Sequence, residues 1–358
     1  MATQFQKIIL QGAPKERGLQ YGKAAADKIK VSVEMYKALF KAYANLSWDE
    51  CKKRAEAFVP FIEGYFPAAI EEMRGIAEGA GLEFGDILAL NCRSEMMFSS
   101  ATTEGCSVLG VTSEMTDDGK PYIAQTWDWI LPARDISLVL EIRQAPLPTI
   151  LTVVEAGMVG GKGLNSAGIG VALNALSSAK GTVGLPLHIL YRGILNAWKL
   201  TDAIEAVTYY KRAGAGNFTI GADSDQALFI EYVPDMYDLI YAEDGFVAHT
   251  NHYLSPMLAP RDLMRNLSSD TFTRLGQLRK LVKKNRGKLN RAKIIEIFSD
   301  HLNYPDSICS HPDPKDEEIM RVCTVYAMVL DLKERTLWLS NGNPCETEFY
   351  PFCLMPGN

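Results

Sequence analysis

Histidine is scarce in this chain, at five in 358 residues. A conventional Cys/His or Ser/His dyad therefore has few bases to draw on. The seven cysteines (51, 92, 106, 309, 323, 345 and 353) are odd in number and contain no CxxC pair. That suits free thiols in a reducing compartment better than a disulfide framework, so a cytoplasmic location is expected. No Lys/Arg-rich run occurs and the net charge is −6, which argues against a nucleic-acid partner. No apolar run approaches the roughly 18–20 residues of a membrane span, and the stretch from Met1 to Leu10 is too short for a signal-peptide core. The Met355–Asn358 end is not a peroxisomal address. Gly160-Gly-Lys-Gly163 lacks the Lys-Ser/Thr of a phosphate loop, so it reads as a turn and no cofactor is expected. Repeats, low-complexity tracts and linkers are also missing, which predicts one structural domain.

What is present is an ordered change of periodicity. After a short strand at 6–10 and a turn at Gly12–Gly18, apolar residues recur at helical spacing from Leu19 to about Tyr43. Ser47-Trp-Asp-Glu50 is a capping box, Pro67 suits a helix first turn, and Gly79-Ala-Gly81 ends that helix. A further helix runs from Phe84 to about Cys92. Beyond Cys106 the period becomes two: strands at 107–111 and 122–127 flank Asp117-Asp-Gly119, followed by strands at 136–143, 149–154 and 169–173. Helices are predicted at 185–198 and at 201–211, the latter capped by Thr201. Strands follow at 218–222, 227–232, 238–242 and 246–250. Residues 260–302 form a basic, solvated outer helix pair, the stretch from His311 to Glu318 a polar loop, and 322–332 with 336–340 a closing hairpin. Helices, strands, helices and strands in that order predict a layered α+β fold of two antiparallel sheets covered by helices.

One cysteine stands where the two regimes meet, in Thr102-Thr103-Glu104-Gly105-Cys106-Ser107. The glycine before it permits a sharp bend and close approach to its carbonyl. Two chemistries remain open for Cys106. It could pair with His249 in a papain-like dyad. Alternatively, it could attack its own Gly105–Cys106 bond, after which the new α-amine, with a reference pKa near 8, serves as base to the thiol on the same residue. The second route needs only a carboxylate to orient the amine and amide donors for the oxyanion. His249 and His252, with His311 or Cys309, could in principle hold zinc. Residues three apart on a strand face opposite ways, however, so no metal is expected.

Several motifs then fall into a pattern: Gly12-x-Pro-x-x-Arg-Gly-x-x-x-Gly22, Glu72-Met-Arg-Gly-Ile-Ala-Glu-Gly-Ala80, Asn91-Cys-Arg-Ser-Glu95, Glu104-Gly-Cys106, Gln125-Thr-Trp-Asp128, Gly163-Leu-Asn-Ser-Ala-Gly168 and His249-Thr-Asn-His252. In this order they resemble the isopenicillin N acyltransferase-like family, the acyl-coenzyme A:6-aminopenicillanic acid acyltransferase relatives among cysteine N-terminal-nucleophile (Ntn) hydrolases. The resemblance runs from about residue 8 to 345. It implies an Ntn-hydrolase αββα sandwich, cleavage at Gly105–Cys106, and Cys106 as nucleophile of both cleavage and turnover. It further implies Asp128 orienting the Cys106 amine or substrate, Asn251 and Asn174 at oxyanion positions, and Arg321 as an active-site arginine. No serine stands beside Gly216-Asn217 or next to Arg321, which argues against a true penicillin acyltransferase.

The resulting expectation is an autoprocessed amidase that cleaves a small acyl-amide through a thioester on Cys106. An acyltransferase using an amine acceptor, with acyl-coenzyme A as a conceivable donor, is the alternative within the family. An uncleaved, non-catalytic binding protein is the alternative outside it. Residues 1–105 would form an N-terminal helical chain and 106–358 the catalytic chain. The cleaved fragment and a small amide would be the partners, with neither nucleic acid nor membrane involved. Trp127 and Trp129 are the expected substrate-contacting residues.

Overall fold

The structure is a computed structural model describing residues 5–97, 105–178, 181–317 and 321–354. Thr102, Thr103 and Glu104, which open the predicted cleavage segment, and Glu318, which ends the predicted polar loop, lie outside the described residues.

The N-terminal helices are α1 (Pro14–Ala24), α2 (Ala26–Ala44), α3 (Trp48–Ala55), α4 (Val59–Tyr65), α5 (Pro67–Ala80), α6 (Phe84–Asn91) and α7 (Arg93–Met97). Their boundaries follow local chemistry. Ser47 accepts the Glu50 N–H as an N-cap, Pro67 opens α5, and Gly81 closes it at φ +67°. The long helix expected from Leu19 to Tyr43 is two helices, broken at Ala25, whose φ of −122° leaves the helical region. Later helices are α8 (Ala133–Ile136), α9 (Leu187–Leu195), α10 (Leu200–Thr208), α11 (Asp270–Lys284) and α12 (Arg291–Phe298). The N-cap of α10 is Lys199 rather than Thr201, and it makes no side-chain capping bond.

Among the described residues the strands are β1 (Lys7–Gln11), β2 (Gly105–Val111), β3 (Tyr122–Ile130), β4 (Ser137–Arg143), β5 (Ile150–Glu155), β6 (Lys162–Asn165), β7 (Ile169–Ala175), β8 (Gly216–Ala222), β9 (Gln226–Val233), β10 (Met236–Tyr241), β11 (Phe246–His249), β12 (Val322–Asp331), β13 (Thr336–Ser340) and β14 (Phe349–Cys353). They make an eight-stranded sheet in the order β1-β4-β5-β6-β7-β8-β9-β10 and a six-stranded sheet in the order β11-β2-β3-β12-β13-β14. Three expectations are corrected here. The eight-stranded sheet is not purely antiparallel, because β1 runs parallel to β4. Lys162 and Gly163 belong to β6, not to a turn. The chain closes on β14, beyond the predicted hairpin.

The sheets stack face to face, with β2 and β3 against β7 and β8. Gln125 reaches across to the Leu173 backbone, and a Cβ on Gly110 would touch Thr219 and Ala227 of the other sheet. One continuous core links the N-terminal helices and the eight-stranded sheet to the intersheet face. A second core lies between the outer face of the six-stranded sheet and α11/α12. The αββα sandwich implied by the resemblance is thus the architecture found. Among the described residues, no helix is long and apolar enough to cross a membrane.

Candidate active site

Alternation along β2 fixes which way its side chains face. Cys106 stands opposite Trp127, Val108 opposite Gln125 and Gly110 opposite Ile123. These pairs point between the sheets, because directly opposed residues share a face. Ser107, Leu109 and Val111 point toward α11 instead. Cys106 is wholly buried.

On its other edge β2 pairs with β11, with His249 opposite Val108. Continuing that register puts Asn251 opposite Cys106. The ladder stops at His249, and the Asn251 side chain takes over: the Cys106 backbone N–H donates to Asn251 Oδ1 at 2.9 Å. Asn251 Nδ2 is given to the Ala175 carbonyl at 3.1 Å. In this arrangement Asn251 holds the nitrogen of the bond before Cys106, and oxyanion donation would require Nδ2 to leave Ala175.

The Cys106 carbonyl accepts from Asn174 Nδ2 at 3.2 Å and from Arg274 Nη1 at 2.8 Å. Asn174 also donates to the His249 carbonyl, bridging the two sheets, and its Oδ1 accepts from Asn217 at 3.1 Å. Asn217 thus occupies a polar post where the resemblance called for a serine. Arg274 also donates to Asn251 Oδ1 at 3.0 Å and to Ser107 Oγ at 3.3 Å, while Asp270 holds the guanidinium from behind at 2.8 Å. The helix bearing it is clamped to the His-Thr-Asn-His motif through Thr271. Thr271 Oγ1 accepts the Asn251 N–H and contacts His252 Nδ1, and its carbonyl accepts from the Thr250 hydroxyl.

This corrects the view of α11 as merely a solvated helix. Arg274 is buried, on the same stripe as Leu275, Leu278 and Val282. That placement is the signal the sequence carried: an arginine at helical spacing within an apolar stripe needs a buried acceptor. The arginine named from the resemblance, Arg321, lies instead on the loop before β12. Its guanidinium donates to the carbonyls of Pro314 and Asp316, and Val322 beside it lines the cavity near Asp128.

Asp128 is buried and stands opposite Gly105. Its Oδ1 accepts from the Thr324 hydroxyl at 2.7 Å, and a Cβ on Gly105 would come within 3.0 Å of its Oδ2. Gly105 therefore leaves little room beside this carboxylate for a side chain. Both residues border a polar cavity of about 590 Å³ that also touches Arg274, Asp270, Ser310 and His311. On the intersheet face, Trp127 borders a chamber of about 20 Å³, room for one water, with Lys162 Nζ 4.3 Å from its ring centroid. Trp129 is wholly buried in the core, and its indole nitrogen has no hydrogen-bond partner among the described residues.

His249 is committed elsewhere: Nε2 lies 2.7 Å from Glu231 and Nδ1 lies 2.6 Å from the Thr250 carbonyl. Both ring nitrogens are occupied, which removes the papain-like pairing with Cys106. His249 and His252 likewise do not meet Cys309 or His311, so the zinc grouping weighed from the sequence does not form. Burial holds His252 down to about 4, so this imidazole is neutral near pH 7.

A family model described as acyl-coenzyme A:6-aminopenicillanic acid acyl-transferase matches residues 114–346. The chain belongs to this family. The match starts after Cys106, so membership rests on the strands and helices that surround the cysteine. Within the curated proteins, the 40 kDa form of acyl-coenzyme A:6-aminopenicillanic-acid-acyltransferase from Emericella nidulans is 27% identical over 341 residues, covering 94% of this chain and 92% of that protein. Solved structures with a looser likeness include penicillin V acylase from Agrobacterium tumefaciens (TM-score 0.49, 9% identity, 70% of this chain and 86% of that one). A mutant conjugated bile acid hydrolase from Clostridium perfringens is another (TM-score 0.45, 10% identity, 70% and 97%).

Proposed function

We propose that this member of the acyltransferase family is a self-processing cysteine amidohydrolase. The observation that carries the reading is the bond from the Cys106 N–H to Asn251 Oδ1, because the nitrogen that would become the catalytic amine is already held. In processing, the Cys106 thiol attacks the Gly105 carbonyl. The C–N bond breaks as nitrogen takes the thiol proton, and water then releases Gly105 as a carboxylate from the thioester. In turnover, the α-amine accepts the thiol proton while sulfur attacks a small acyl-amide, and it passes the proton to the departing amine. Water resolves the acyl-thioester and restores the thiol. Asn251 keeps the amine oriented, Asp128 anchors the Gly105 side, and Asn174 with Arg274 fixes the Cys106 carbonyl so the reacting atoms stay aligned. The cut N-terminal chain would stay bound, because β1 pairs with β4 and the helices share the main core.

Acyl transfer is the second reading, favoured by the activity for which the family and the Emericella protein are named. It differs only in the last step, where an amine rather than water attacks the thioester. No coenzyme A site is assigned.

Intact mass under denaturing conditions tests processing. Two fragments meeting at Gly105/Cys106 are expected, and a single 39.6 kDa chain in active protein overturns it. Incubating the processed enzyme with an amide and a competing amine then separates the two readings: free acid supports hydrolysis, and a new amide supports transfer.

A further inference from the structure

Away from Cys106, the loop between α12 and β12 and the turn after β13 bring four potential ligands together. His301, Cys309, His311 and Cys345 place their ligand atoms within 4.8 Å of one another. Cys309 Sγ lies 3.4 Å from Cys345 Sγ and 3.6 Å from His311 Nε2. Cys345 Sγ is 3.5 Å from that same nitrogen, and His301 Nε2 is 3.1 Å from it. Four ligands around one ion, at Zn–S of about 2.3 Å and Zn–N of about 2.0–2.1 Å, stand roughly 3.3–3.8 Å apart along the edges of a tetrahedron. The four separations, 3.1–3.6 Å, lie within about 0.4 Å of those edges, and His301 lies within 4.8 Å of both sulfurs.

The surroundings point the same way. Asn343 Nδ2 donates to Cys309 Sγ at 3.5 Å and to the Ser310 carbonyl at 2.7 Å, and an N–H directed at sulfur suits a thiolate. The other ring nitrogen of His311, Nδ1, faces the Glu346 carboxylate at 3.8 Å. A carboxylate behind a histidine is a recurring support for metal-binding imidazoles.

We propose that His301, Cys309, His311 and Cys345 form a structural zinc site. Two thiolates and two imidazoles select zinc over magnesium or calcium, which take oxygen ligands. Four protein ligands leave no open position, so the ion braces the fold and does not activate water. Each thiol gives its proton to solvent on loading, and the two thiolate charges balance the dication. This revises the expectation of no metal. The ion joins the 299–317 segment to the turn at 341–348. That loop also supplies the Ser310 N–H to Thr324 Oγ1 at 3.0 Å, and the Thr324 hydroxyl in turn supports Asp128. The brace therefore backs one wall of the cavity beside Asp128, though the site stands whether or not Cys106 is catalytic.

The test is metal analysis of full-length protein purified without chelator and under reducing conditions. About one zinc per chain is expected, falling to near zero in a Cys309→Ser/Cys345→Ser variant. Protein stripped of metal and given cobalt should show thiolate-to-cobalt absorption and the visible bands of a tetrahedral site, and the double variant should show neither. Chelator should lower the thermal midpoint of the wild type and leave that of the variant unmoved. Should the double variant fold poorly, His301→Gln, at an exposed position, should weaken cobalt binding at least about tenfold. Protein that arrives without zinc and takes up no cobalt overturns the proposal. So does peptide mapping that finds Cys309 and Cys345 joined as a disulfide.

Discussion

At the crossing of α1 and α5, Arg17 and Arg192 share the Glu72 carboxylate at 2.9–3.0 Å. At the start of β2, Arg274 keeps Asp270 behind it and spends its remaining N–H groups on the Cys106 carbonyl, Ser107 and Asn251. Both regions are buried, and both contain motifs that carried the family resemblance. In the first, two guanidinium groups converge on one carboxylate inside the scaffold, and their other N–H groups go to the Gly12 and Val159 carbonyls and to Gln144. The glycines there are spacers: a Cβ on Gly18 would sit 2.0 Å from the Glu72 carbonyl oxygen, and one on Gly75 would sit 2.2 Å from that of Lys15. In the second, cationic N–H groups are aimed at uncharged oxygens beside the Cys106 thiol, the proposed nucleophile, where a developing negative charge can be stabilised. A motif match therefore marks either packing or chemistry, and whether its polar atoms gather around a reactive side chain tells the two apart.

Substitutions should separate the two regions. Cys106→Ala should lower turnover by at least about 10⁴-fold and leave a single uncut chain with an unchanged unfolding midpoint. Cleavage of that variant at Gly105/Cys106, seen by mass, would end the autocatalytic account. Glu72→Gln should do the reverse. It strands two buried guanidinium groups and should cost about 3–5 kcal/mol in urea unfolding, with little change in activity per folded molecule. Arg274→Gln should slow processing or turnover about 10²–10³-fold, and Arg274→Lys should recover little because one ammonium cannot span those acceptors. An equal loss of stability and no kinetic effect would reclassify Arg274 with the α1–α5 pair.

A pH experiment sharpens the contrast further. Glu95 is raised to about 7, chiefly by burial, against the bond its carboxylate accepts from the Leu187 N–H. Its folded pKa lies above its unfolded one, so the folded state holds the extra proton. Stability tied to Glu95 is present below about pH 4.5 and is lost as pH rises toward 7. Glu95→Gln should therefore match the wild type near pH 4.5 and exceed it by about 3 kcal/mol above pH 7. On the acid side the sign reverses. His188, held down to about 3 by burial first and by Arg93 second, is neutral when folded, so its contribution is lost as pH falls below 6.5. The smallest effect is expected from Gly105→Ala, where a Cβ 3.0 Å from Asp128 Oδ2 should slow processing severalfold without unfolding the protein.

The helical layer was the most legible part of the sequence, because its caps at Ser47, Pro67 and Gly81 are set by residues within one turn. The break at Ala25 was hidden, since alanine is the best of helix formers and nothing in its side chain signals a helix end. β14 carries a proline and alternates weakly, as befits an edge strand, and so escaped notice. At the site, Cys106 and Asn251 stood out through their neighbours in the chain. Arg274 did not, because its acceptor lies 168 residues away. Likewise, His311 and Cys309 sit two apart and invite pairing, but Cys345 is 34 residues from His311 and reaches it only through the turn after β13.

The order of helices and strands, and a lone cysteine at their junction, were determined by the sequence alone, since periodicity and capping depend on residues two to four apart. Which arginine faces Cys106, which atom of Asn251 holds its nitrogen, and which four side chains gather at the proposed zinc site were decided only by the tertiary structure. Those choices depend on sheet register and on the stacking of layers, which bring side chains far apart in the chain to within bonding distance.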